Sequence, residues 1–143
     1  SPELGRVIKK LDELTTIYPK LSISMFGYNE WFMYTKVYDE KFRKYDTYIP
    51  STYDYNAASP ETKAFEQKYN IYYKTPMQQA LPRFAITGYD HMMYFVKGVS
   101  KYGKKFHGKD SQRCHTAVQT PLRFERIGNG GYQNRSYMFI RYR

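Results

Sequence analysis

The chain is poor in the residues that covalent and metal chemistry need. Its single cysteine, Cys114, excludes an internal disulfide. The three histidines, His91, His107 and His115, are scattered, and Cys114-His115 has no second ligand pair at a zinc-type spacing. No metal and no cofactor is therefore expected. No apolar run approaches the roughly 18 residues of a membrane span. There is no G-x-S-x-G elbow, no phosphate loop, and no G-x-G-x-x-G after a strand. The carboxylates fall mostly at helix starts, where capping and the helix dipole account for them, so no enzymatic activity is expected. The opening "SPELGRVIKK" reads as the start of a helix, not as a leader. It implies an N-terminus that is either mature or cut from a longer protein.

Two things are abundant. The first is positive charge, which is placed unevenly. Residues 1–96 hold 12 Lys/Arg against 11 Asp/Glu, and residues 97–143 hold 11 against 2, so almost all of the net +10 lies in the last third. Such an end attracts nucleic acid, anionic lipid or acidic glycan, or is simply a solvated basic face. The second is tyrosine, with 17 residues beside 9 Phe and one Trp. A tyrosine ring is apolar with a hydrogen-bonding tip. It suits interfaces and stacking on sugars or bases, and equally a core whose edge meets water.

The length of 143 residues suits one domain with a modest core. Residues 2–18 predict a helix with Ser1 as cap, Pro2 in the first position, Glu3 in the first turn, and Leu4, Val7, Ile8, Leu11 and Leu14 along one face. Pro19 stops it. "LSISMFGYNEW" predicts a strand over 21–26, a break at Gly27, and a short helix capped by Asn29 and running through Tyr38. "YDTYIPSTYDYN", 45–56, predicts a second extended segment that Pro50 confines to an edge. Ser59, Pro60 and Glu61 open a helix over 60–74 that Thr75-Pro76 ends, with Phe65, Tyr69 and Tyr72 on one face. A further helix is predicted over 89–102, with a stripe of Met92, Phe95, Val96 and Val99. Gly98 in its middle hints at a close neighbour, and Gly103 is placed to close it in the left-handed conformation. "TPLRFERI" and "YQNRSYMFIRYR" around Gly128-Asn129-Gly130-Gly131 predict a hairpin. The alternation of helix and strand points to α/β layers with a parallel sheet.

Three stretches carry a resemblance: "LSISMFGYNEWFMYT", "GYDHMMYFVKGVSKYG" and "TPLRFERIGNGGYQNRSYMFIRYR". In their order and spacing they resemble the second-lobe strand and aromatic helix, the Gly-Tyr-Asp helix and the C-terminal return of type I periplasmic solute-binding proteins. The nearest subgroup is the leucine/amino-acid-binding-like proteins of Gram-negative envelopes, some with LysM repeats. His91 stands where that family has a small residue after Gly-Tyr-Asp, and Glu125 falls in a basic setting. The resemblance implies part of a type I lobe: three layers, a mostly parallel sheet and a C-terminal β-hairpin. The whole chain 1–143 would then be a single α/β domain, the C-terminal fragment of a longer two-lobe protein in the periplasm or cell envelope.

Open α/β sheets hold ligands at the C-terminal ends of strands. That rule selects Tyr28, Asn29 and Trp31 after the first strand, and Ser51, Tyr53 and Asp54 after the second. Trp31 is equally a staple on its own helix. Tyr89 and Asp90 face a cleft in a functional reading. In the preferred structural reading, Asp90 sits in the first turn of a helix, Gly88 allows a close approach, and Tyr89 packs as a half-buried ring. The expected role is a non-catalytic binding or scaffold module, holding peptidoglycan or an envelope protein. One alternative is an amino-acid- or small-solute-binding component of an ABC transporter, and the expected ligand is an amino acid or a glycan. The other, nucleic-acid binding, is expected least. The Met92, Phe95, Val96, Val99 stripe, lacking a sheet in an isolated fragment, implies self-association.

Overall fold

The computed structural model describes residues 2–143. Ser1, the expected cap of the first helix, lies outside the described residues. In chain order the elements are α1 (Pro2–Ile17), a 3-10 helix (Asn29–Tyr34), α2 (Thr35–Lys44), β1 (Thr47–Ser51), α3 (Pro60–Tyr73), α4 (Phe84–Tyr102), two single-turn 3-10 segments (Gly103–Lys105 and Asp110–Gln112), β2 (Phe124–Arg126), β3 (Tyr132–Asn134) and β4 (Met138–Tyr142). They form two compact units. One reaches Pro50 and takes in Phe139–Arg143, and the other is Ser51–Met138.

The first unit is built on the apolar face of α1. Leu4 and Ile8 are buried and Leu11 packs beside them, with Met25, Phe42, Tyr45 and Ile49 completing the cluster. Val7, predicted for that face, is exposed. Trp31 stacks on Phe42 at 5.6 Å between ring centroids, and Tyr142 meets Phe42 edge-on at 5.5 Å. β1 pairs with β4. Asp12, on α1, ties the helix to the end of α2: it accepts hydrogen bonds from Lys41 Nζ and Lys44 Nζ at 2.6 Å each and from the Tyr45 hydroxyl at 2.7 Å. These contacts, Lys41 first, hold its carboxyl well below the usual carboxylate range.

The second unit contains the antiparallel pair of β2 and β3, with Phe124 opposite Asn134 and Arg126 opposite Tyr132. This is the hairpin predicted around the glycine run. α3 opens as predicted: the Ser59 hydroxyl accepts the Thr62 N–H at 3.1 Å, and Pro60 takes the first turn. It closes on Lys74 in the left-handed region, just before Thr75-Pro76. Gly98 sits where a Cβ would lie 2.2 Å from Cζ of Phe106, so the hint of a close neighbour is borne out: the missing side chain seats that ring. Gly103 has the expected positive φ of 54°, but its ψ of −134° lies outside the left-handed helical basin.

The expected partial lobe, three layers on a mostly parallel sheet, is not what forms. Among the described residues there are two two-stranded sheets, and the parallel pairing is one isolated bridge, Phe26 to Tyr48. A parallel sheet needs strands covered on both faces. Here residues 21–26 leave Leu21 and Phe26 exposed, and β1 alternates buried and half-buried positions over only five residues. The α4 stripe that such a sheet would cover is exposed at Met92, Phe95, Val96 and Val99.

Candidate functional site

The organising centre of the second unit is Asp90. α4 begins at Phe84, not at residue 89, so Asp90 lies inside the helix instead of in its first turn. The earlier helix start has a physical cause. The Gln119 side chain binds the chain at the helix start, its Oε1 accepting the Arg83 N–H at 2.9 Å and its Nε2 donating to Thr87 Oγ1 at 2.9 Å. Within this added turn Ile86 is fully buried, while Phe84 stays exposed.

Asp90 itself is buried and its carboxylate is saturated. Oδ1 accepts the Val118 N–H at 2.8 Å and lies 3.0 Å from Nε2 of His115. Oδ2 accepts the N–H groups of Gln119 and Thr120, both at 2.8 Å. One carboxylate thus satisfies three backbone donors of an irregular segment that has no strand partner. The Asp54 N–H donates to the Gln119 carbonyl at 2.9 Å, which adds a second strap. Residues 115–120 are thereby fastened to α4, and Tyr94 adds a hydrogen bond from its hydroxyl to the Gly108 carbonyl. Burial pushes the Tyr94 phenol up from its ordinary value.

Fastening that segment leaves a cleft of about 960 Å³ between α3, α4 and residues 114–118. Its walls are rings in series. His115 meets Tyr89 at 5.7 Å, Tyr89 meets Phe65 at 5.0 Å, Phe65 meets Tyr69 at 6.3 Å, Tyr69 meets Tyr73 at 4.5 Å, and Tyr73 meets Tyr72 at 4.9 Å. Lys68, Lys97 and Glu61 stand among them. A second cleft of about 690 Å³ lies across the same segment and shares Glu61, His115, Thr116 and Val118. It is more polar in composition, with Asp54, Asn56, Arg113 and Thr120 on its wall. Beside α3, the Tyr55 hydroxyl donates to Glu66 at 2.7 Å under the Arg83 guanidinium, and burial raises its pKa, with Glu66 adding to the effect. Among the described residues no group of His, Cys, Asp and Glu could hold a metal ion.

The residues selected from sequence fall into separate settings. Tyr28, Asn29 and Trp31 belong to the first unit. Asn29 opens the 3-10 helix and does not cap it: the cap position is Tyr28, which makes no side-chain capping bond. Trp31 rests on Phe42 and folds over Gly27, where a Cβ would come within 2.4 Å of its ring, so its place is against the core. In the second unit, Ser51 is buried and its hydroxyl donates to the Tyr53 carbonyl at 2.6 Å. Burial raises the Tyr53 phenol. Asp54 and Asp90 line the polar cleft, and Tyr89 lines the aromatic one. The sequence reading placed Phe65, Tyr69 and Tyr72 on a common helix face but did not select them, nor Tyr73, Lys68, Lys97 and His115. The shared face was the available signal. That it borders a cleft depends on α4 and the fastened segment.

No helix among the described residues is long and apolar enough to cross a membrane. No family model, curated protein or solved structure matches the chain.

Proposed function

We propose that this chain is a non-catalytic binding or scaffold module whose ligand lies in the aromatic cleft between α3 and α4. The observation that carries this reading is the unbroken series of six rings from His115 to Tyr72 on one concave wall. Concave sites that are mostly apolar with a few placed polar groups suit ligand capture, and Tyr supplies both in one side chain. Lys68 and Lys97 favour a ligand that carries negative charge. The carboxylate of Asp90, beside His115, is engaged by three backbone N–H groups, so its place in this reading is to hold the cleft wall.

Thermal melting with candidate ligands tests the reading on the whole chain. Muropeptides, free amino acids and oligothymidylate represent the glycan, solute and nucleic-acid classes. A saturating ligand raises stability by RT ln(1 + [L]/Kd), about 2.7 kcal/mol at a hundredfold excess. The expected result is saturable stabilisation by a ligand of some class that Tyr69→Ala abolishes. Stabilisation unaffected by Tyr69→Ala and Tyr73→Ala would move the site elsewhere. Nucleic acid is favoured by one further observation: on the basic end of the chain, His107 and Tyr132 stack at 5.4 Å and 13°, a platform of the kind that bases share. Binding there would respond to Tyr132→Ala and leave the cleft variants unaffected.

A further inference from the structure

The aromatic cleft does not end where the rings end. Its α4 wall passes into the exposed apolar face of that helix, where Met92 is 63 % exposed, Val96 and Val99 are each 53 %, and Phe95 is 45 %. A shallower hollow at Val96, Lys97, Ser100, Lys101 and Cys114 joins the two at Lys97 and Cys114. At the other end of the ring series Tyr72 is 79 % exposed. The aromatic cleft thus continues at Lys97 and Cys114 into a hollow that adds Val96, and Lys68, Lys97 and Lys101 stand along the two together.

Charge decides what covers it. The second unit holds 13 Lys/Arg against 6 Asp/Glu, a net of +7 by count. Of the six acids, Asp90 is buried in its backbone bonds, Asp110 pairs with Arg113, Glu125 pairs with Arg123, Glu66 accepts from Tyr55, and Asp54 lines the polar cleft, which leaves Glu61 as the one carboxylate on the aromatic wall against Lys68, Lys97 and Lys101. A second copy would bring the same positive rim against this one, and like charges at close range oppose the contact. A neutral glycan could stack on the same rings, but it has no charge for the three lysines and no apolar side chain for Val96. Complementary charge on an apolar floor describes a peptide that presents large apolar side chains on one side and carboxylates at its edges.

We propose, resting on the cleft being the binding site, that its partner is an acidic peptide segment of another protein, with apolar anchors seated on the rings and on Val96. Lys68, Lys97 and Lys101 meet its carboxylates. The segment lies along α4, with its anchors spaced to reach both the rings around Tyr69 and the hollow at Val96.

Selection from a displayed random-peptide library on the whole purified chain tests this, followed by fluorescence anisotropy with the enriched peptide made synthetically. The expected peptides combine Asp or Glu with Leu, Phe or Trp. Their affinity falls tenfold or more on Tyr72→Ala or Val96→Asp, and on Lys97→Glu it shifts toward peptides in which Lys replaces the acids. Circular dichroism on each variant keeps loss of fold apart from loss of binding. Enrichment without acidic residues, or affinity indifferent to Lys97→Glu, overturns the proposal. So does a dimer in light scattering that Val96→Asp dissolves, because a second copy then covers the face. If muropeptides bind and depend on Tyr69 while no peptide is enriched, the peptide inference fails and the cleft stands as a ligand site. If no ligand of any class depends on the rings, both fail.

Discussion

Asp90 shows how much one side chain is asked to do. Three backbone N–H groups and a histidine share its two oxygens, with almost no exposure to water. A buried donor left without an acceptor costs roughly 1–3 kcal/mol. Asp90→Ala strands Val118, Gln119 and Thr120 together, so the expected loss of stability is about 3 kcal/mol or more, with Asp90→Asn falling between it and the parent. Urea unfolding measures both. The same experiment separates the two readings of Gly-Tyr-Asp. A ligand-facing Asp90 would leave stability nearly unchanged on substitution and lower only binding, whereas the geometry predicts the reverse order. Tyr89, one residue earlier, turns to the cleft and joins Phe65 and His115, so adjacent residues serve architecture and site.

Among the elements, α1 and α2 are joined by apolar packing and by the Asp12 network. Lys41, Lys44 and Tyr45 all donate to one carboxylate, which lowers its pKa. Because the folded value lies below the unfolded one, near 4, the network stabilises fully above that range, and its contribution fades as pH falls toward the folded value. Asp12→Asn is expected to cost about 1 kcal/mol at neutral pH, the scale of a partly exposed charge network. The urea midpoints of variant and parent should converge as acid is added. A difference that is constant from neutral to strongly acidic solution would show that Asp12 acts through packing alone. In the other unit, α3 and α4 owe their boundaries to different causes. α3 is bounded by local signals, Ser59 at one end and Lys74 at the other, while α4 gains its first turn from the distant Gln119.

At the scale of the whole molecule, the chain path makes the first unit discontinuous: its last five residues arrive after the entire second unit has been traversed. Those residues carry most of β4, the Tyr142 ring against Phe42, and Arg141, whose guanidinium meets both oxygens of Asp46 at 2.6 and 2.9 Å. Truncation after Met138 is expected to lower the stability of the first unit and to speed amide exchange at Thr47–Ser51. Exchange of the Val118, Gln119 and Thr120 amides, which are held by Asp90, should hardly change. Hydrogen exchange read residue by residue checks this, and equal loosening of both sets of amides would contradict it.

Features set by neighbours in the chain were legible in the sequence. The α1 stripe of Leu4, Ile8 and Leu11, the Ser59-Pro60 start of α3, the glycine-run hairpin and the seat at Gly98 each follow from a few adjacent residues, because periodicity, capping and steric room are local. Partnering was not legible. An extended run such as 21–26 has the same alternation whether it enters a parallel sheet or, as here, makes one bridge to Tyr48, buries Met25 and leaves Leu21 and Phe26 exposed, since strand pairing is decided by distant chain. Phe65, Tyr69 and Tyr72 likewise share a face by spacing alone, and spacing cannot distinguish a core face from a cleft wall. That decision came from Asp90. By drawing the amides of 118–120 onto α4 it fixed residues 114–118 opposite α3 and left the rings open, because a buried carboxylate reaches its lowest free energy only when backbone donors far along the chain are brought to it.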